Sequence, residues 1–203
     1  VSELGASGGL NLMWDRFAIE TDAGRWGPSD PALTLTPEWS GTMPAAARIE
    51  VAGRAGVDLS PLDVRDADDR LRLLSYLWPD QPHRADLTRA AIAAFDAQLD
   101  TGDAVAWLKT RLDTAPEGKL HLVYHTIAWQ YFPPDRQQEG RALMEAAGAR
   151  ATPDRPLAWL SLEHDGDSAS EDGARLSVRL WPGNETVTLA RADFHGRWVR
   201  WLS

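Results

Sequence analysis

The chain has 203 residues, of which 43% are hydrophobic and 25% charged, a composition that predicts one folded domain and excludes wholesale disorder. Its net charge of −9 disfavours a nucleic-acid substrate, because nucleic-acid binding depends on neutralising phosphates with lysine and arginine. Cysteine is absent, which excludes disulfides and thiolate metal sites, and no apolar run reaches the ~20 residues of a membrane span, so we expect a cytoplasmic protein without a membrane partner.

The chain opens on a short strand and a glycine-rich loop. Val1-Ser2-Glu3-Leu4 leads directly into Gly5-Ala6-Ser7-Gly8-Gly9, and residues 10–17 have the apolar spacing of a short helix. Glycines between a strand and a helix let backbone N–H groups and the positive helix N-terminus approach an anionic or polar ligand. A tight turn that binds no ligand would use the same residues. The strand is entered without a methionine, so we expect further sequence upstream.

Residues 17–47 predict an insertion instead of the helix that a parallel sheet would place here. The segment is rich in Gly, Pro, Ser and Thr, and its alternating pieces at Phe17–Glu20 and Leu33–Thr36 indicate an inserted hairpin. Beyond it, Ala55-Gly56-Val57-Asp58-Leu59 predicts a buried strand that ends in an acid, and Pro61 closes it.

Helices and strands then alternate along the chain. Apolar residues three and four positions apart predict helices over 66–77, 84–95, 104–112 and 134–147. Short apolar runs predict strands at 98–100, 120–125 and 157–162, and alternation on both sides of a Pro-Gly-Asn turn predicts an antiparallel hairpin over 175–181 and 185–191. The sequence therefore predicts a single α/β domain over 1–203, with a mainly parallel sheet, helices on its faces and a C-terminal antiparallel hairpin.

Asp58 is a candidate ligand-binding residue. An acid at the end of the second strand of a nucleotide-binding fold commonly accepts hydrogen bonds from a ribose. Asp58 lies much farther from the glycine loop than the usual gap of about 20 residues, and the insertion accounts for the excess. An ordinary strand-end or helix-capping aspartate is the alternative.

Three motifs resemble those of class I S-adenosylmethionine-dependent methyltransferases. They are Glu3-Leu4-Gly5-Ala6-Ser7-Gly8-Gly9, Gly56-Val57-Asp58-Leu59-Ser60-Pro61 and Gly102-Asp103-Ala104. The resemblance implies a Rossmann-like three-layer sandwich and S-adenosylmethionine as cofactor. It implies that Glu3 and Gly5 line the methionine end of the cofactor, that the loop including Ser7 and Gly9 contributes to binding, that Asp58 holds the ribose and that Asp103 faces the adenine. The methyl acceptor would be a small molecule or a protein.

A second resemblance covers nearly the whole chain. Residues 6–12, 58–64, 78–81 and 195–198 look like an uncharacterised bacterial family, domain of unknown function 2332. Members of this family generally have a helical region upstream of this point, and the family has no assigned reaction.

Three residues are candidates for acid–base chemistry. His125 ends the central strand at the sheet edge where a ligand is expected, and His is the commonest general base. His195 and Glu163 are further candidates of the same kind. A lone His on a strand is often a hydrogen-bonded structural residue instead, and Tyr124-His125-Thr126 departs from the acidic or Asn residue common at this point in the methyltransferases.

Two other functions fit parts of the sequence. Gly5-Ala6-Ser7-Gly8-Gly9 also satisfies the Gly-x-Ser-x-Gly motif of serine hydrolases, with Asp154 or Asp165 and then His195 in the order of that fold. Against it, the motif opens the chain, whereas a nucleophile elbow normally follows several strands. A non-catalytic binding or scaffold module that keeps the fold is the other alternative.

We predict no metal site, although His121 and His125 are four residues apart and lie on one face of a strand. Two histidines without a third ligand are more simply explained by inward packing. The sequence does not indicate an oligomeric state.

Overall fold

Strands and helices make up most of the described chain. A computed structural model describes residues 1–78, 82–114, 116–166 and 173–202. Its strands are β1 (Ser2–Leu4), β2 (Phe17–Thr21), β3 (Gly24–Trp26), β4 (Leu33–Leu35), β5 (Glu38–Ser40), β6 (Ala55–Asp58), β7 (Gln98–Thr101), β8 (His121–Thr126), β9 (Leu157–Glu163), β10 (Ala174–Trp181), β11 (Glu185–Ala192) and β12 (Trp198–Trp201). Its α-helices are α1 (Ala67–Ser75), α2 (Pro82–Ala93), α3 (Ala104–Asp113) and α4 (Pro134–Gly148), and 3-10 helices span Leu10–Arg16 and Trp129–Tyr131.

The large sheet has a parallel part and an antiparallel part. Its strand order is β5-β12-β11-β10-β9-β8-β1-β6-β7. Strands β7, β6, β1, β8 and β9 run parallel, whereas β9, β10, β11 and β12 are antiparallel neighbours. The expected mixed α/β architecture with a mainly parallel sheet is confirmed, and the β10–β11 pair confirms the antiparallel hairpin.

The strand order reverses at β1. From β1 the sheet extends through β6 to β7 on one side, and through β8 to β9 on the other. In open α/β sheets, ligands bind at such a reversal, in the crevice outside the carboxyl ends of the strands. The fold therefore places the loops that follow β1 and β8 side by side at the position where a ligand is expected.

Helices cover both faces of the sheet, because neighbouring residues of a strand point to opposite faces. On one face, Val123 of β8 packs with Leu108 of α3 and Met144 of α4. On the other face, Tyr124 packs with Leu12 of the first 3-10 helix. All five side chains are buried, so the sheet is the middle of three layers, as the sequence predicts.

Two glycines let α4 approach bulky aromatic side chains closely. A Cβ atom on Gly140 would lie 2.6 Å from the Trp129 ring, and a Cβ atom on Gly148 would lie 2.4 Å from the Trp181 ring. Both indoles are buried, so their packing against the helix requires glycine in spite of its low helix propensity. These contacts hold α4 against the sheet next to the loop that follows β8.

The insertion forms a small second sheet and one edge of the large sheet. Strand β2 pairs antiparallel with β3 and parallel with β4. Phe17–Glu20 and Leu33–Thr36 are therefore not the two arms of one hairpin, because the hairpin partner of β2 follows directly after the turn at 22–23. Strand β5 extends the large sheet beyond β12, a pairing that no local sequence pattern predicts.

A mostly buried ion pair joins the first 3-10 helix to the segment before β6. The Arg54 guanidinium donates to both carboxylate oxygens of Asp15, at 2.5 and 3.0 Å, and to the Leu12 carbonyl oxygen at 2.7 Å. Only 11% of the Arg54 side chain and 15% of the Asp15 side chain are exposed. Losing one partner would leave the other charge poorly solvated.

We expect Arg54→Met to lower the free energy of unfolding by about 3 kcal/mol, because removing one partner of a buried ion pair is strongly destabilising. Urea denaturation followed by tryptophan fluorescence measures the loss. The matched control is Arg48→Met, whose ion pair with Glu50 is 89% and 76% exposed and should contribute less than ~1 kcal/mol. Equal losses in the two variants would contradict this role of Arg54.

Candidate functional site

Loops at the carboxyl ends of four parallel strands enclose a cavity. They follow β1, β6, β7 and β8, the strands around the reversal in strand order. The cavity has a volume of about 290 Å³. Its walls include Gly5, Asp58, Asp103, Ile127, Phe132 and Arg136. This glycine-loop cavity thus brings together Gly5, Asp58 and Asp103, for which the sequence predicts cofactor binding.

The loop after β1 has left-handed backbone angles and packs closely against its neighbour. Gly5 and Gly9 have φ values of 72° and 69°, and Ser7 has a φ of 50°. A Cβ atom on Gly5 would lie 2.6 Å from the Cβ atom of Ala128. Gly5 therefore lets the loops after β1 and β8 touch directly.

Most backbone N–H groups of the glycine loop already have acceptors within the chain. Gly5 and Ala6 donate to a carbonyl oxygen of β6, Gly9 donates to the Ala6 carbonyl oxygen, and Ser7 donates to Asp58. The helix that follows is a 3-10 helix of seven residues. These contacts do not support the expectation that loop amides and a helix N-terminus face an anionic ligand, because a phosphate-binding loop points its amides at the ligand.

Asp58 ties the glycine loop to the end of β6. Its Oδ2 accepts the Ser7 N–H at 2.8 Å, and its Oδ1 accepts the Ser60 N–H at 3.0 Å. An ionised carboxylate has about four acceptor positions, so these bonds leave capacity for hydroxyl groups of a ligand. Asp58 therefore has a structural role, and it also lies at the strand end where the sequence predicts a ligand-binding acid.

Asp103 begins α3 and lines the glycine-loop cavity. Its Oδ1 accepts the N–H groups of Val105 and Ala106, at 3.0 and 2.8 Å. Arg136 of α4 donates to both carboxylate oxygens, and this hydrogen bonding is the main reason that the pKa of Asp103 is lowered. Asp103 is therefore held ionised, and the pair connects α3 to α4 at the rim of the cavity.

Glu3 lies beneath these loops, and only 2% of it is exposed. Burial raises its pKa to about 8, an effect that the neighbouring Tyr124 hydroxyl and Asn11 amide only partly offset. The Asn11 Nδ2 donates to Glu3 Oε1 and to the Thr126 Oγ1, both at 3.3 Å. Within the described residues, Glu3 Oε2 has no hydrogen-bond partner. Glu3 is thus protonated at neutral pH, and it does not line the glycine-loop cavity.

His125 and Glu163 form a pair on the opposite face of the sheet. His125 Nδ1 lies 2.7 Å from Glu163 Oε1, which also accepts the N–H groups of Ala128 and Trp129 at 3.0 Å. Burial acts to raise the Glu163 pKa, but these hydrogen bonds outweigh it and keep the pKa below its ordinary value. The imidazole is 2% exposed and stacks on Trp129. The pair therefore holds the loop after β8 in place, which favours the structural interpretation of His125.

The residues of the hydrolase alternative do not come together. Ser7 follows β1, whereas Asp154 precedes β9, so the two lie at opposite edges of the parallel strands. Asp165 pairs with Arg191 at 2.6 Å. His195 is exposed after β11 and lines a different cavity, and no hydrogen bond joins its ring to Ser7 in the part of the chain that the structure describes.

The two histidines of β8 lie on one face of the strand, as expected. His121 Nε2 is 2.9 Å from the Ser2 Oγ, and burial is the main cause that lowers the His121 pKa to about 4. Among the described residues, no group of three or more His, Asp or Glu side chains could hold a metal ion. His121 is therefore accounted for by its contact with Ser2.

Nearly the whole chain matches one protein family. Residues 1–201 match the model of a family described as "Uncharacterized protein conserved in bacteria (DUF2332)". The chain belongs to this bacterial family. The family resemblance of its motifs is thereby confirmed, whereas no curated protein and no solved structure matches the chain. In the described ranges of this DUF2332 protein, no helix is long and apolar enough to cross a membrane.

The DUF2332 protein has a second, larger cavity of about 620 Å³ on the sheet face that carries Tyr124. We call it the apolar cavity; its floor is Leu122, Tyr124, Thr126 and Leu160, and its walls come from the first 3-10 helix, the small sheet and α2. No described residue lines both cavities, but Thr126 lines this one and the next residue, Ile127, lines the other. The two cavities therefore adjoin at the end of β8. The sequence does not predict this cavity. Alternation in β8 indicates only that every second residue of the strand lies on the same face.

We expect the Glu3 carboxyl to lower the stability of the DUF2332 protein progressively as the pH rises from about 4.5 to about 8, whereas the lowered pKa of His121 acts in the opposite direction between about 4 and 6.5. In the first of these pH windows the unfolded state loses the Glu3 proton and the folded state keeps it. The free energy of unfolding therefore decreases by up to ~1.4 kcal/mol per pH unit from this group. Urea denaturation at several pH values across the window measures the slope.

The Glu3→Gln variant identifies the group responsible. Glutamine keeps the size and the polar atoms of a protonated glutamate but does not titrate, so the free energy of unfolding of the wild type should fall relative to that of the variant as the pH rises. The matched control is Glu20→Gln, which removes an exposed carboxyl on β2 and should follow the wild-type curve. Parallel pH curves for the wild type and Glu3→Gln would contradict this role of Glu3.

Proposed function

We propose that the chain binds S-adenosylmethionine, or a related adenine nucleoside, in the glycine-loop cavity and acts as a methyltransferase. The observation that carries the proposal is the convergence of Gly5, Asp58 and Asp103 at the reversal in strand order. These residues are far apart in the sequence, and the sheet brings them to one cavity. Open α/β sheets bind ligands at this position.

The cavity walls suit an adenosyl group. Ile127 and Phe132 supply apolar surface for a base, and Asp58 has acceptor capacity for ribose hydroxyls. Asp103 occupies the position of the acid beside the adenine in the methyltransferase resemblance. The amides of the glycine loop are mostly bound within the chain, which favours a nucleoside without phosphates over a dinucleotide.

The residues of the chain would align the two reactants. S-adenosylmethionine supplies an activated methyl group when bound, and holding it in line with an acceptor is the main requirement of the transfer. His125 and Glu163 act as positioning residues, because they fix the loop after β8 through its N–H groups. His195 is the candidate base, since it is exposed and lines the adjoining apolar cavity.

The acceptor is a small molecule or a protein in this proposal. A nucleic-acid acceptor is disfavoured by the net charge of −9, which opposes binding to a phosphate backbone. The apolar cavity adjoins the proposed cofactor position at the end of β8, and it is large enough to hold a small molecule.

We expect Asp58→Ala to weaken binding of S-adenosylmethionine and S-adenosylhomocysteine by about 5- to 150-fold, the effect of losing a hydrogen-bonded contact worth ~1–3 kcal/mol. Calorimetric titration measures both ligands, and circular dichroism checks that the variant is folded. Asp30→Ala is the matched control, because Asp30 is an exposed aspartate in the insertion and does not line the glycine-loop cavity.

The outcomes separate the alternatives. Unchanged affinity in a folded Asp58→Ala variant would contradict the ribose contact. A wild-type protein that binds neither ligand would refute the proposed function and favour a non-catalytic scaffold. If an ester-substrate screen shows activity that Ser7→Ala abolishes, the serine hydrolase is the correct alternative.

A further inference from the structure

The apolar cavity has the dimensions of a small-molecule site. Its volume of about 620 Å³ falls within the ~300–1,000 Å³ typical of ligand pockets. Phe17 and Leu33 of the small sheet, Leu87 of α2 and Leu160 of β9 are among its apolar walls. The insertion thus lies over the main sheet without filling the space between them.

One end of this cavity is polar. Asn11 lines the cavity, and its Nδ2 donates to Glu3 Oε1 and Thr126 Oγ1. Within the described ranges, no donor of the chain bonds to the Asn11 carboxamide oxygen, which is left to accept a hydrogen bond. Glu3, directly behind Asn11, is protonated at neutral pH and adds no charge to this end.

We propose that the apolar cavity binds a neutral, mainly apolar molecule that carries one hydroxyl group or similar donor and directs this donor to Asn11. The apolar walls bury the body of the molecule, which is the main source of its affinity. A charged ligand would lose hydration against the apolar walls, and Asn11 offers it no opposite charge. Arg84 and His195 also line the cavity, so a carboxylate probe tests whether an anion is preferred instead.

This is the cavity that the proposed function offers to an acceptor, but the binding of a neutral, mainly apolar molecule in it does not depend on methyl transfer. Within the part of the chain that the structure describes, the two cavities share no lining residue, so the molecule would be held by side chains other than those that line the nucleoside cavity. Binding of the two ligands is therefore measurable separately on the same protein. A variant that loses one ligand but still binds the other is thereby shown to be folded.

The test uses 1-naphthol, naphthalene and 1-naphthoate as probes, measured by equilibrium dialysis against the whole chain. These molecules share one ring system and differ only in a neutral hydroxyl group, no polar group or a carboxylate. We expect 1-naphthol to bind about tenfold more tightly than naphthalene, the effect of one hydrogen bond, and more tightly than 1-naphthoate. Asn11→Ala should remove the preference for 1-naphthol over naphthalene.

A pair of matched variants locates the site. Leu35 and Leu180 are both 36% exposed on strands, but only Leu35 lines the apolar cavity. Leu35→Glu should weaken 1-naphthol binding at least about tenfold, because it places a charge against the ligand, whereas Leu180→Glu should leave it unchanged.

Several results would overturn the proposal. They are equal affinity for 1-naphthol and naphthalene, tighter binding of 1-naphthoate, and equal effects of the two leucine variants. Titration with S-adenosylmethionine on the same samples keeps the two proposals distinct. A protein that binds 1-naphthol but no nucleoside refutes only the proposed function, and the reverse result refutes only the apolar site.

Discussion

The contact between the glycine loop and the end of β6 is the constraint on which the candidate site depends. Asp58 accepts the Ser7 N–H, and the lack of a side chain on Gly5 lets Ala128 pack against the same loop. Loops from three strands are therefore in direct contact. A side chain at position 5 would force the loop after β8 outward and open the wall of the glycine-loop cavity. The cavity is thus produced by two short contacts between distant parts of the sequence.

Strand β8 separates two kinds of polar environment, because its side chains alternate between the faces of the sheet. Thr126 and Tyr124 face the apolar cavity, where Asn11 connects Thr126 to Glu3. His125, between them in the sequence, faces α3 and α4 and is held by Glu163. A shift of one residue in the pairing of this strand would exchange the two environments. The register of β8 therefore decides which residues face a ligand and which support the loop.

Local patterns predicted the elements well, because burial on one or two faces fixes the spacing of apolar residues. The helices, the parallel strands and the β10–β11 hairpin follow from that spacing. Asp58 was predicted as an acid at a strand end and Asp103 from the methyltransferase resemblance; both line the glycine-loop cavity, and their binding of a ligand stays a prediction. The insertion was harder, since Leu33–Leu35 pairs with β2 in parallel and Glu38–Ser40 joins a distant strand. Such pairings depend on tertiary packing. Tertiary packing also encloses His125 between aromatic rings and forms the apolar cavity.

Two glutamates, the buried Glu3 and the partly buried Glu163, show how the fold divides structural from functional chemistry. Glu163 accepts hydrogen bonds from His125 and two backbone amides, and its pKa is lowered although burial acts to raise it. Glu3 accepts one from Asn11, and its pKa rises to about 8. A carboxyl whose acceptors are satisfied stabilises its surroundings, whereas one left protonated by burial lowers stability at neutral pH. Environments that push the pKa values of two acids apart are characteristic of functional sites. Glu3, the acid that lowers stability at neutral pH, lies on the side of β8 that carries the apolar cavity.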